Sequence, residues 1–432
     1  MQMTSIPSTD QLRCERGPAT RPARWIDRAA RRTLHSALAR FRTGTLTIRD
    51  AGGVISFGEP ATATGAPSAV VEITDPRFYT ACALDGTLGA GEAYMQGWWR
   101  CDTLADLIRL FVLNRDAMRA MDSGASRLLV PLHRVVHWLE RNTRDGSRRI
   151  TQGPYDLGNE FFLLFLDPSM MYSGAIFERP DMTLGEAQAA KLDRICRKLG
   201  LGPEHHVLEI GTGWGGFAIH AATNYGCRVT TTTISREQAR MARARIEACG
   251  LDGLVTVLEQ DYRELRGSFD RLVSIEMIEA VGHQFLDAYF RACASLLKPD
   301  GLMALQAITI GDRDYERALR NVDFIQKHIF PGSFIPSLGA IQGSLARAGD
   351  LRMTHAEDFG PHYARTLRCW RDAFMARLEA SQAMGFDETF CRMWEFYLAY
   401  CEGAFAERHI GVSQLVLAKP EARPAPILGG LS

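Results

Sequence analysis

Apolar residues change their period several times along the chain, and each change marks a different kind of element. Residues 21–44 read RPARWIDRAARRTLHSALARFRTG, and Trp25, Ile26, Ala29, Leu34, Ala37, Leu38 and Phe41 recur at roughly helical spacing. Arg21, Arg24, Arg28, Arg31, Arg32, Arg40 and Arg42 share that stretch with one acid, Asp27. A basic amphipathic helix of this kind suits an anionic membrane surface or the flank of the next domain. Residues 45–122 predict a small α+β domain. TLTIRD and AVVEIT alternate like strands, and GGVISFGEP between them supplies turn residues. The run from Phe78 to Asn114 reads as helical pieces, with Trp98 and Trp99 expected in the core.

The pattern changes again near residue 190. KLDRICRKLGL predicts an amphipathic helix, and HHVLEIGTGWGGFAIHAATNYG predicts strand, glycine turn and helix. CRVTTTTIS, REQARMARARIEACGL, VTVLEQDYREL, FDRLVSIEMIEAVG and LKPDGLMALQAITI continue the alternation. Alternating β and α units imply a parallel sheet with helices on both faces. Residues 315–432 read as mostly helical, with SQLVLAKP as a final strand. The expected organisation is a loose tail over 1–20, an N-terminal lipid-docking or dimerisation domain over 21–122, a linker over 123–150 and a catalytic domain over 151–432.

Composition narrows the function. The 432 residues carry 50 basic and 50 acidic side chains, so no global field draws the chain to nucleic acid. The ten cysteines form no CxxC pair and no zinc spacing, which fits a reducing compartment. His205 and His206 read as loop rather than as metal ligands. The first residues lack an apolar signal core, and no apolar run is long enough to span a bilayer. The expected location is cytoplasmic, with peripheral contact at the inner face of the membrane.

The strand Val207–Ile210 runs into Gly211-Thr212-Gly213-Trp214-Gly215-Gly216. Glycines let backbone approach a ligand closely, and ligands of open α/β sheets sit at the carboxyl ends of strands. The spacing is G-x-G-x-G, not the G-x-G-x-x-G of dinucleotide sites, and Glu209 precedes it. The turn resembles the first motif of class I S-adenosylmethionine methyltransferases, whose cofactor is cationic and has no pyrophosphate, so a nearby acid makes electrostatic sense.

Upstream lie Tyr155-Asp156-Leu157-Gly158-Asn159-Glu160-Phe161-Phe162 and the run from Phe165 to Phe177, large apolar groups with a few placed polar ones. That mixture suits a pocket for a long apolar substrate beside a polar cofactor. The wording is similar to that of the cyclopropane-fatty-acyl-phospholipid synthase family, which includes the mycolic acid cyclopropane synthases. Thr232-Thr233-Ile234-Ser235, Phe269 to Gly282, Ile329-Phe330-Pro331-Gly332-Ser333, His362 to Leu367 and Arg392 to Leu398 resemble further family segments in order.

The resemblance implies a class I methyltransferase sheet beside the smaller α+β domain. It implies methyl transfer to a cis double bond of a phospholipid acyl chain, a carbocation, and loss of a proton to a bound bicarbonate with closure of a cyclopropane. The bicarbonate shell would be Glu279, Tyr363, Gln306 and the backbone at Gly174 and Ile308. Cofactor contacts would come from Tyr172, Ser173, Glu209, Gly211, Gly213, Gly215, Thr232, Thr233, Gln238, Tyr262 and Arg263. Gly174 stands where the family has Cys, and Gln306 and Ala280 stand where it has His. Those departures keep two alternatives open: a methyl- or methylene-branched product, or a SAM- and lipid-binding protein without turnover. A homodimer is a further expectation.

Overall fold

The computed structural model describes residues 23–59, 65–116 and 157–427. The expected tail over 1–20, the linker over 123–150, and Tyr155 and Asp156 of the aromatic block lie outside the described residues.

Helix α1 (Trp25–Leu38) buries Ala30, Leu34, Ala37 and Leu38. Next come β1 (Thr45–Asp50), β2 (Gly53–Gly58), β3 (Ser68–Ile73), α2 (Arg77–Met95), β4 (Trp99–Cys101) and α3 (Leu104–Leu113). The four strands form one sheet in the order β2-β1-β3-β4. The segment read as a turn is therefore partly strand. Val54 and Ile55 pair with β1 as an exposed outer hairpin arm, and burial patterning misses a strand with both faces in solvent. Trp99 is buried as expected, and its indole N–H donates to the Ala90 carbonyl at 2.8 Å.

The larger unit opens with the short helix α4 (Asn159–Phe162) and α5 (Leu184–Leu199). Thr183 caps α5 through a reciprocal bond with Glu186, and Gly200 ends it in the left-handed region. Then follow β5 (His206–Ile210), α6 (Gly216–Tyr225), β6 (Arg228–Thr233), α7 (Arg236–Ala248), β7 (Val255–Glu259), β8 (Phe269–Ile275), α8 (Leu286–Leu296) and β9 (Leu297–Ile310). The chain closes with α9 (Asp312–Ala318), α10 (Phe324–His328), α11 (Leu338–Ala348), β10 (Arg352–Asp358), α12 (Gly360–Met375), α13 (Leu378–Ala383), α14 (Glu388–Ala406) and β11 (Ile410–Ala418).

Seven strands stand in the order β10-β11-β9-β8-β5-β6-β7, with β11 antiparallel to both neighbours and β9 to β7 parallel. Separate apolar clusters cover its faces, one built on α8 and α11 and the other on α5 and α6. This is the expected doubly covered sheet. Strand β10 was not legible, because RMTHAED alternates exposed and half-buried positions at the sheet edge. His206 belongs to β5, and its Nε2 lies 2.9 Å from the Thr230 hydroxyl.

The two units share one core. Residues of α1 to α3 belong to the same apolar cluster as Phe324, Phe396, Trp394 and Phe405. A Cβ placed on Gly403 of α14 would stand 2.6 Å from the Ile108 Cβ, and one on Gly91 would stand 2.5 Å from the Phe324 ring. Tyr94 donates to Glu395 at 2.6 Å, Arg109 to Glu407 at 2.6 Å, and Lys327 to Glu92 at 2.5 Å across the same boundary.

Candidate active site

The glycine turn sits at the carboxyl end of β5. Gly211, Gly213 and Gly215 hold φ of 100°, 51° and 84°, a region side chains disfavour, and nothing lies within 4 Å of where a Gly213 Cβ would stand. The Gly211 and Thr212 amides both donate to the Thr232 carbonyl at 3.0 Å, pinning the loop to β6. Open space over a glycine loop at a strand end fits a small ligand held by backbone.

The other expected cofactor residues each have a partner within the protein. Glu209 is buried beneath the loop, where it accepts from the Thr231 hydroxyl at 2.6 Å. Burial pushes its carboxyl up to about 8. Thr232 donates to the Gln260 carbonyl, and Thr233 to Gln238 at 2.8 Å, which fixes the start of α7. Tyr262 packs edge-on against Tyr289, and Arg263 is paired with Asp261 at 2.5 Å, just after β7. Tyr172 reaches Tyr397 hydroxyl to hydroxyl at 2.8 Å. Ser173 accepts from the buried Lys191 ammonium at 2.7 Å, which burial lowers to about 8.

Of the five residues expected to hold an anion, Gly174, Gln306 and Tyr363 meet on a side chain, and Ile308 and Glu279 bond to each other. Glu276, just past β8, receives the Gly174 N–H at 2.9 Å and the Gln306 amide at 2.8 Å on one oxygen, and the Tyr363 hydroxyl at 2.7 Å on the other. Its backbone has φ of +49°, unfavourable for a glutamate and tolerated here because three donors hold the carboxylate. Glu279, in a turn of 3₁₀ helix, accepts the Ile308 N–H at 2.6 Å, and its other oxygen is buried without a partner among the described residues. Burial, then the charge of Glu276, raises the Glu279 carboxyl to about 8. Burial also raises Glu276 above the ordinary carboxylate range, opposed by the donors of Tyr363, Gln306 and Gly174. Three donors face the Glu276 carboxyl and one faces that of Glu279, so of the two neighbouring groups Glu276 is the better placed to hold a negative charge.

The amide of Gln306 is itself oriented. Gln414 donates to the Gln306 carbonyl oxygen at 3.1 Å, and Lys198, paired with Glu357 at 2.6 Å, donates to the Gln414 carbonyl oxygen at 2.8 Å. This chain turns the Gln306 NH₂ toward Glu276. Sequence reasoning missed Glu276, Lys191 and Gln414. Only Glu276 left a signal, as a second acid three positions before Glu279 at a strand end.

Gly174 explains its own identity. A Cβ there would lie 2.7 Å from the Tyr363 ring. Gly174→Ala is expected to displace Tyr363 from Glu276 and cut turnover about 10²-fold with little change in cofactor affinity. Steady-state kinetics beside a cofactor titration checks this.

A cavity of about 520 Å³ opens on Glu276, Glu279 and Tyr363 and is walled mainly by apolar side chains of both units. Among the described residues no group of acids, histidines and cysteines is placed to hold a metal ion, and no helix is long and apolar enough to cross a membrane.

The family described as mycolic acid cyclopropane synthetase matches residues 142–415. The chain belongs to this family of S-adenosylmethionine-dependent methyltransferases. It is 39% identical over 352 residues to the tuberculostearic acid methyltransferase of Mycobacterium tuberculosis, covering 77% of this chain and 79% of that protein. It is 38% identical over 363 residues to the cyclopropane-fatty-acyl-phospholipid synthase of Escherichia coli, covering 82% and 89%. The structure of a mycolic acid cyclopropane synthase complexed with SAH and CTAB superposes with a TM-score of 0.59 at 35% identity, covering 63% of this chain and 98% of that one. The family acts on lipid acyl chains, by cyclopropanation or by methyl branching.

Proposed function

We propose that this enzyme methylates a cis double bond in a phospholipid acyl chain, with Glu276 rather than a bound bicarbonate accepting the proton. The observation that carries this reading is the placement of the Glu276 carboxylate where Gly174, Gln306 and Tyr363 converge. S-adenosylmethionine, when bound over the glycine loop, supplies an electrophilic methyl group. The apolar cavity holds the alkene against it and keeps water away. Attack by one alkene carbon on that methyl would form the new C–C bond, break the methyl–sulfur bond with release of S-adenosylhomocysteine, and leave the neighbouring carbon cationic. The faces of Tyr172 and Phe330, with ring centres 6.3 Å apart, are placed on this cavity to stabilise positive charge. Glu276 then takes a proton from the new methyl, and the released C–H electron pair closes the cyclopropane. Glu279, with one donor and a carboxyl raised to about 8, is the poorer place for a negative charge.

A second product fits the same base. If hydride shifts from the methylated carbon to the cationic one first, loss of a proton from the same methyl gives a methylene (C=CH₂) branch on the open chain. Three donors on Glu276 weaken it as a base and lengthen the life of the cation, and the similarity to a tuberculostearic acid methyltransferase points the same way. Incubation with S-adenosylmethionine and vesicles of a cis-monounsaturated phosphatidylglycerol should add one CH₂ per modified chain, with NMR assigning ring or methylene. Bound cofactor with no lipid product contradicts the proposal.

Helix α1 supports a membrane-surface role for the N-terminal unit. Trp25 is 75% and Ile26 41% exposed, beside the exposed Arg28 and Arg32. Binding should favour anionic over neutral vesicles and weaken as salt rises from 0.05 to about 0.5 M, where the screening length falls to a few ångströms. Sedimentation with vesicles reads this, and equal binding to neutral vesicles at high salt removes the electrostatic part.

A further inference from the structure

The cavity is not confined to the catalytic unit. On α3, Leu107, Ile108, Phe111 and Val112 line it, with Arg115 just beyond the helix end. Their spacing is that of one helix face. Ala90 and Trp99 of the same unit continue the wall. Opposite stand Phe396, Tyr400 and Phe405, carried by α14, which approaches α3 closely at Gly403. The stripe from Leu107 to Arg115 is about 12 Å long at the helical rise, room for about ten methylenes at ordinary C–C bond lengths. Its inner end is apolar. Its outer end is the exposed guanidinium of Arg115, which makes no ion pair among the described residues.

We infer that the α3 face is the wall along which the carboxyl-side arm of the acyl chain lies, and that it sets how far from the head group a double bond can be methylated. The N-terminal unit is then a specificity element of the active site as well as a surface for lipid. The inference rests on the proposed acyl-chain reaction. A lipid entering from the surface leaves its polar end in water, and Arg115 marks the end of the stripe where an anionic head can stay solvated. The alkene must reach Glu276, which lines the same cavity, so the side chains of α3 set the length available to the chain between them.

The test is a competition in mixed phosphatidylglycerol vesicles carrying 16:1 and 18:1 chains with the double bond at carbon 9 or carbon 11. Phe111→Ala and Leu107→Ala enlarge the wall, and Ala90→Phe narrows it. The enlarged variants are expected to shift product ratios between the carbon-9 and carbon-11 isomers at least threefold, and Ala90→Phe to shift them the other way. Cofactor affinity, read by titration, should stay within twofold of the wild type. As a measurement independent of any variant, wild-type enzyme is irradiated with a phosphatidylglycerol bearing a diazirine between carbonyl and double bond. Label is expected in the peptide spanning 104–116. Unchanged isomer ratios in folded variants, or label confined to the catalytic unit, overturns the inference. Absence of any methylated lipid from the wild type instead overturns the acyl-chain reading beneath it.

Discussion

Replacing Glu276 by glutamine should lower turnover by about 10²–10⁴-fold, the usual range for loss of a positioned general base, while leaving cofactor binding in place. Glutamine keeps the size of the side chain, and its one carbonyl oxygen can still accept from Gly174 and Gln306 while its NH₂ faces the Tyr363 hydroxyl, but it cannot take up the proton. Glu276→Gly should behave differently. Glycine accepts φ of +49° without strain, so the variant should fold at least as well as the wild type. It also leaves three donors converging on an empty, anion-sized site. Added bicarbonate should therefore restore part of the activity of E276G and none of E276Q, whose side chain still fills the site. Loss of E276G activity that no small anion restores would mean the carboxylate acts by holding Tyr363 and Gln306 in place. In the wild type the acid limb of the pH–rate profile should lie above the ordinary carboxylate range, because burial raises Glu276 and the base must be ionised.

The other large effect is expected at the boundary between the units. Gly403→Val puts carbon where the Ile108 Cβ lies 2.6 Å and the Ala105 carbonyl oxygen 2.8 Å from the Cβ position. Neither neighbour is the loose end of a flexible chain, so α3 and α14 must part. Overpacking of this kind costs about 1–3 kcal/mol, and more where backbone has to move. Because the same two helices wall the cavity, methylation should fall at least tenfold while binding at the glycine loop stays intact. Thermal melts, cofactor titration and lipid turnover on one preparation separate the three. A variant with wild-type stability and turnover would show that α3 and α14 do not depend on this contact.

The glycine turn, the parallel sheet and the aromatic block were legible because each is a local pattern. The turn demands glycine at three positive-φ positions, the alternation of β and α follows hydrophobic period, and Phe161 and Phe162 are fully buried as their run suggested. Gly174, Glu279, Gln306, Ile308 and Tyr363 could be grouped only through family resemblance, since they come from four separate segments, Gln306 and Ile308 sharing β9. Glu276 escaped because its role depends on three donors distant in sequence, and spacing alone makes it another strand-end acid. Glu209 was read as an acid near a cationic cofactor, and the structure adds that it lies buried beneath the loop against Thr231. Strand β2 and β10 escaped because exposed edges need no apolar period. The shared core of the two units could not be read from either one, because Gly91 and Gly403 matter only through what they face.

The central claim is that this chain carries its own base. Its most direct measurement is methyl-deuterated S-adenosylmethionine supplied with cis-monounsaturated phosphatidylglycerol vesicles in buffer stripped of carbonate, followed by mass spectrometry of the released fatty acids. The new carbon is expected to keep two of its three deuteriums and to form at a rate that added bicarbonate does not change. A rate that depends on bicarbonate, or a product that keeps all three deuteriums, would contradict it.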